Sequence, residues 1–395
     1  MIRLFSGEFL YHPVPLEMSM NVCSHGCIYC FATLRNNKRV FEGKKFANQM
    51  KKLYESETFI SHKIRQGWGC CISNNTDPFS KNNARITEAI LPHFIEKKIG
   101  MFIQTKGGER LEELCEKMPP SDFYWSMTMF NEDIRKKIEP AAPTIEKRFE
   151  QMKWLKDRGH NISIGLNPLV EEWLNEDDVE KMINKGKEIG VKSFVVQPMH
   201  FGKKNKEKLS KNDWAGAELN NYFGYSRDVM VYYQKILTKH HKEGTIAFNQ
   251  PFYSKGIEYN ALSQKRKMLT AQHFLNSIIE KYGTNEGLIT FNDYIEFFND
   301  GFIEDYSKQR YDEYVLMKYP KAWMGKPKNQ NIHSKEHLYN VFWNEASISI
   351  NLQNNILFTK ECEDANGNVV MKYNGGKIIV NGQQRNLVTD SAILQ

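Results

Sequence analysis

Between residue 15 and about residue 200 the chain alternates short apolar runs with amphipathic, charged stretches, and that alternation restricts it to few architectures. Six runs read as strands: Leu16 to Asn21, Gly69 to Ser73, Met101 to Thr105, Phe123 to Met129, Asn161 to Leu166 and Ser193 to Pro198. Between them, stretches such as ITEAILPHFIEKKIG and TIEKRFEQMKWLKDRGH repeat apolar residues at intervals of three and four, the helical period. Strand and helix in turn are the pattern of βα units on a parallel sheet. Six consecutive units predict an α/β partial barrel, open on one side, rather than the closed eight-fold form. The second of the two helices is expected to end at Gly159, with basic residues in its last turn.

Chemistry in such a barrel gathers at the C-terminal ends of the strands. Here those ends carry Cys23 to Cys30, Asn74 to Asp77, Lys106, Thr128, Asn167 and Gln197, all just after apolar runs. Beyond residue 200 the texture changes. A lysine-rich stretch, GKKNKEKLSKNDW, reads as a solvated loop or helix start, followed by a region dense in Tyr and Phe that is mostly helical from Asn221 to Phe302. From Ser347 onward, alternating and β-branched segments flank Asn-Gly turns, which predicts a small β meander. The expected division is therefore a barrel over 1–205, a mostly helical, aromatic-rich region over 206–345 and a β appendage over 346–395.

A chain of 395 residues, 41% hydrophobic, can bury a sizeable core. It has no run of about 20 apolar residues of the kind that spans a bilayer, and its N-terminal stretch lacks the order of a signal peptide. A cytoplasmic protein with no membrane partner is expected. The seven cysteines form no paired framework, which argues against a disulfide-stapled secreted protein. The net charge of +7 is compatible with a polyanionic partner, DNA or RNA, and equally with ordinary solubility.

Three of those cysteines fall in CSHGCIYC, a C-x3-C-x2-C loop directly after the first strand. Cys23, Cys27 and Cys30 are close enough in sequence to ligate three irons of one 4Fe-4S cubane, leaving the fourth iron without a protein ligand. S-adenosylmethionine (SAM) can chelate that iron through its amino and carboxylate groups, which aligns its sulfonium for electron injection and release of a 5'-deoxyadenosyl radical. The alternative is structural zinc, with His25 as fourth ligand. His25, however, sits inside the cysteine loop, and no second ligand pair lies at a usual zinc spacing. Cys70 and Cys71 read first as small buried hydrophobes.

CSHGCIYCFA, followed by NNTDPF, QTKGG, SMTMFNEDIRKKIEPAAPTIEKRFEQMKWLKDRG and SIGLNPLV, resembles the radical SAM proteins related to spore photoproduct lyase. The resemblance covers roughly the first 200 residues. It implies a partial radical SAM barrel in which Cys23, Cys27 and Cys30 hold the cluster and Tyr29, Thr76, Asp77, Lys106 and Ser126 contact SAM. The bland readings are turn formation for Thr76 and Asp77 before Pro78, a strand-end surface charge for Lys106, and an ion pair between Glu139 and Arg148. Gly107 and Gly108 after Lys106 are expected to allow close backbone approach to a ligand. Spore photoproduct lyase returns a hydrogen atom with a cysteine three residues before the equivalent of Asp77 and a tyrosine directly after the last cluster cysteine. Those positions hold Asn74 and Phe31 here, which argues against repair of the spore thymine lesion itself.

The sequence therefore points to a radical enzyme, with an external electron donor such as flavodoxin or ferredoxin and no catalytic residue yet assigned. Repair, rearrangement or modification of a nucleic-acid base is the leading activity, and a small metabolite or peptide substrate is the alternative. A non-enzymatic metal-binding scaffold is the reading from another class. Aromatic residues between Tyr222 and Trp343 could stack flipped-out bases, but core packing accounts for them more simply.

Overall fold

The computed structural model describes residues 2–4, 16–18, 23–30, 42–56, 65, 70–72, 76–191, 193–199, 206–222, 231–233, 235–236, 239–240, 246–248, 278, 281–293, 296, 358–375, 377–380 and 383–386. Its main sheet has strands in strictly sequential order: β1 (Ile2–Leu4), β2 (Leu16–Met18), β3 (Cys70–Ile72), β4 (Met101–Thr105), β5 (Asp122–Ser126), β6 (Asn161–Leu169), β7 (Ser193–Pro198) and β8 (Ile246–Phe248). From β2 to β8 every neighbouring pair is parallel. The six strands expected from sequence are β2 to β7, and the α/β partial barrel stands.

Parallel strands covered on both faces read as continuous apolar runs. That is why β3 is buried throughout, β4 and β5 at all but one position each, and β6 at all but two. Trp125 in β5, with its side chain fully buried, is the largest member of this core.

The connecting helices are α1 (Gly43–Glu55), α2 (Ala84–Glu96), α3 (Leu111–Cys115), α4 (Glu132–Ile138), α5 (Ile145–Asp157) and α6 (Glu176–Glu188). Three have side-chain N-caps: Asn131 accepts from the Asp133 and Ile134 amides, Thr144 from Lys147, and Asn175 from Asp178. Helix α5 stops as expected, with Gly159 at φ +83° and the His160 amide returning to the Leu155 carbonyl.

Two compact units divide the chain. The first comprises Met1–Ile2, Glu17–Lys52 and Gly69–Gln264, so it runs beyond the expected boundary at 205. Two features explain the extension. Strand β8 pairs with β7, and the segment after residue 205 is anchored by aromatic packing: Trp214 stacks on Trp173 at 5.7 Å, and the Trp173 indole donates to the Trp214 carbonyl at 2.8 Å. Tyr222, Tyr232 and Tyr233 are buried, whereas Tyr282, further along the aromatic region, is half-buried. Most of the helix expected over ALSQKRKMLTAQHFLNSIIEKYG lies outside the described residues.

The second unit comprises Arg3–Leu16, Leu53–Trp68 and Lys265–Gln395. Strands do form after Ser347, but in two separate sheets rather than as one meander. Strands β10 (Phe358–Glu363) and β11 (Val369–Asn374) form an antiparallel hairpin around Asn366-Gly367, β9 (Glu286–Ile289) pairs with the other edge of β11, and β12 (Lys377–Val380) pairs with β13 (Gln383–Asn386).

Candidate functional site

Register places the polar strand ends side by side. Thr105 of β4 is level with Trp125 of β5, so the next residue on each strand, Lys106 and Ser126, also comes level. The Lys106 ammonium donates to Ser126 Oγ at 2.6 Å, and the Ser126 hydroxyl donates to the Asn167 carbonyl on β6 at 2.9 Å. Three consecutive strands are thereby joined at their C-terminal edge.

The cysteine loop is fastened to the turn that follows α4. The Ile28 amide donates to the Ile138 carbonyl at 3.0 Å and the Ala141 amide to the His25 carbonyl at 3.1 Å. Gly26, at φ +68°, takes the left-handed conformation that lets the loop pass close to the Pro140 ring. The Asn212 side chain donates to the Ile28 carbonyl at 3.2 Å. Cys27 is buried, while Cys23 and Cys30 are half-buried.

Two buried carboxylates organise the ground between this loop and the strand ends. Asp77 accepts from the Lys106 amide at 2.6 Å, the Phe79 amide at 2.9 Å and the Thr105 hydroxyl at 3.0 Å, and His25 Nε2 lies 3.1 Å from it. Burial alone would raise its pKa, but the His25 charge and these hydrogen bonds outweigh that and hold it below the ordinary value. Asp77 thus ties the cysteine loop to the start of the Lys106 turn, and Thr76 lies in the bend just before it. The His25 ring, the fourth ligand of the zinc alternative, is held between Asp77 and the Ala141 carbonyl, 3.3 Å from its Nδ1.

The second carboxylate is Glu139, fully buried. Its Oε1 accepts from the Tyr29 hydroxyl and from the Thr128 hydroxyl at 3.0 Å, and it lies 3.3 Å from Lys106 Nζ. Its Oε2 meets Arg148 Nη2 at 2.5 Å, in a pair with no solvent exposure on either side. Burial works to raise the Glu139 pKa, yet the charges of Arg148 and Lys106, with the Tyr29 and Arg148 hydrogen bonds, hold it well below the usual carboxylate range. The ion pair with Arg148 was legible in sequence; the contacts with Tyr29, Lys106 and Thr128 were not. Lys106 Nζ also lies 5.5 Å above the Tyr29 ring.

Burial, then the charge of Glu139, push the Cys27 thiol well up, partly countered by Lys106. Burial, then Asp77, push Cys23 up to about 11. The turn after Lys106 is tightly packed. A side-chain carbon on Gly107 would lie 2.4 Å from Gln151 Oε1, and one on Gly108 would lie 2.1 Å from the Phe79 carbonyl oxygen. At both glycines a side chain would collide with the protein's own packing. Cys70 and Cys71 are fully buried in β3, as expected. Asn74 and Phe31 lie outside the described residues.

The family model of the Radical SAM superfamily matches residues 18–197, from the last residue of β2 to the penultimate residue of β7. The chain carries a radical SAM domain. A domain of this superfamily implies a 4Fe-4S cluster and SAM as cofactors and an enzymatic role. The donor chemistry of the radical SAM domain suits the cluster: three thiols lie in one loop, near enough that Cys23 and Cys30 both influence Cys27. Among the described residues, no three Cys, His, Asp or Glu side chains gather as a single metal ion requires; in a cubane each thiolate takes its own iron.

No curated protein matches the chain. Among solved structures, spore photoproduct lyase complexed with dinucleoside spore photoproduct is 14% identical over 60% of this chain and 77% of its own, with a TM-score of 0.44. SuiB of Streptococcus suis bound to S-adenosylmethionine is 14% identical over 60% and 50%, with a TM-score of 0.39. TYW1 with a lysine-pyruvate adduct bound is 16% identical over 53% and 76%, with a TM-score of 0.35. The match spans about half the length of the SuiB chains bound to the precursor peptide SuiA, 47%, and to S-adenosylmethionine, 50%. Among the described residues no helix is long and apolar enough to cross a membrane.

Proposed function

We propose that Cys23, Cys27 and Cys30 hold the cluster, that Tyr29, Thr76, Lys106 and Ser126 contact SAM, and that the substrate is a base in DNA or RNA. When bound, the cluster and SAM together supply a 5'-deoxyadenosyl radical, given one electron from an external donor such as flavodoxin or ferredoxin. In this reading Asp77 serves the SAM site from behind, fixing His25 of the cysteine loop and the Lys106 amide.

The observation that carries the reading is the position of Lys106. Its ammonium, 12% exposed, lies against Ser126, Tyr29 and Glu139, beside the cysteine loop. Glu139 is already matched by Arg148, so the three charged groups together carry one net positive charge. A largely buried positive charge favours an anionic ligand group, and the carboxylate of SAM is one. Tyr29 and Ser126 orient that ligand from either side. The Tyr29 ring packs against Trp173, with centroids 5.8 Å apart. A nucleic-acid substrate is supported by the motif resemblance and the net charge of +7.

The test is anaerobic reconstitution with iron and sulfide, followed by dithionite, SAM and short DNA or RNA. Formation of 5'-deoxyadenosine that requires all three cysteines, together with a mass change in the nucleic acid, is the expected result. Cofactor cleavage with no binding to nucleic acid at low salt would transfer the substrate to a metabolite or peptide.

A further inference from the structure

Arg148 stands on the first turn of α5 with no solvent exposure. Its Nε donates to the Pro143 carbonyl at 2.9 Å, and its Nη2 meets Glu139 Oε2 at 2.5 Å. Lys106 stands on the opposite side of the same carboxylate, 3.3 Å from Oε1. One buried anion thus lies between two cations, the nearer of which is wholly enclosed.

We propose that Arg148 is a positioning residue for SAM: by neutralising Glu139 it leaves the charge of Lys106 available to the SAM carboxylate. The inference rests on the reading of Lys106 given above. The physical case is one of competition. A carboxylate in a site of low dielectric binds the nearest cation strongly. Without Arg148, the Glu139 charge would be matched by Lys106 alone, and an incoming carboxylate would have to displace a buried partner. With Arg148 in place, Glu139 can hold Lys106 and the Tyr29 hydroxyl by hydrogen bonding while remaining electrostatically satisfied.

The test measures equilibrium binding of SAM, and of decarboxylated SAM, to the anaerobic, cluster-loaded full chain. Wild-type protein is expected to prefer SAM. In Arg148→Met the affinity for SAM should fall by about tenfold or more while that for decarboxylated SAM changes by less than about threefold, because only the carboxylate competes with Glu139. Removing both charges, in Glu139→Gln/Arg148→Met, frees Lys106 again and should restore the preference to within about threefold of wild type.

A preference in Arg148→Met equal to wild type, or equal losses for both ligands, would overturn the inference, the second marking Arg148 as structural support. If the single variant does not fold, the double variant decides, and failure to recover the preference for SAM would overturn it equally. Wild-type protein that fails to prefer SAM would instead sink the assignment of Lys106.

Discussion

Lys106 Nζ lies 2.6 Å from Ser126 Oγ, joining the residue after β4 to the last residue of β5 across the open edge of the sheet. Replacing Lys106 with Met should weaken SAM binding by at least about tenfold, the loss of one charge-assisted interaction. Stability should change little, because Glu139 retains Arg148, Tyr29 and Thr128. Calorimetric titration with SAM alongside thermal unfolding checks both halves; a large drop in Tm with unchanged SAM affinity would reverse the assignment.

His25 tethers the cysteine loop to Asp77. In His25→Ala the loop loses a buried contact to a charged group, worth about 1.5–3 kcal/mol. Iron retained per chain after reconstitution and desalting should fall, while the helical circular dichroism signal stays constant. If His25 were a metal ligand in its own right, the variant would lose iron as completely as Cys27→Ala does.

Cys71 offers the contrasting case. It is fully buried between the strands flanking β3, so Cys71→Ser buries a hydroxyl and should cost about 1–3 kcal/mol of stability. Iron content after reconstitution should equal wild type. Cys27→Ala should show the opposite pattern, with no cluster absorbance at all.

Asp122, at the start of β5, gives a pH dependence. Burial, only partly offset by the hydrogen bond from Asn161 at 2.8 Å, pushes its pKa up to about 7 from 3.8. Between those values the folded protein holds a proton that the unfolded chain has released. The associated stability is full below about pH 4 and is lost as pH rises through 7, by up to about 4 kcal/mol. Asp122→Asn should therefore be more stable than wild type at pH 8 and flatten this part of the Tm-versus-pH curve. Parallel curves for the two proteins would refute the raised pKa.

Gly108→Ala would drive a methyl group into the Phe79 carbonyl. The turn that carries Lys106 must then shift, and both Tm and SAM affinity should fall together. An effect on SAM affinity with no loss of Tm would instead point to close approach of the ligand to this turn.

Strands β3 to β6 were legible because each is a largely buried parallel strand and so a contiguous apolar run. Strand β8 was not: Ile246–Phe248 is three residues long and follows a lysine-rich stretch that gives no periodicity. The cysteine loop declared itself by spacing. Glu139 did so in part, since Arg148 is one helical segment away, whereas Tyr29 meets it across 110 residues of chain. His25 offered only a ligand reading, because no local pattern announces a partner as distant as Asp77. No pattern in the sequence announced that Phe79, Gln151 and Trp125 crowd Gly107 and Gly108.

The fastening of the cysteine loop depends on segments far along the chain. His25 and Ala141 are 116 residues apart, and Asn212 reaches Ile28 across 184. On the ribosome, Cys23, Cys27 and Cys30 emerge long before the segments that shape them, so a nascent chain offers three loosely tethered thiols and no preformed cradle. On the reading proposed above, cluster loading belongs after the turn at 139–142 has docked, and a chain truncated before that turn would leave the loop without its mould.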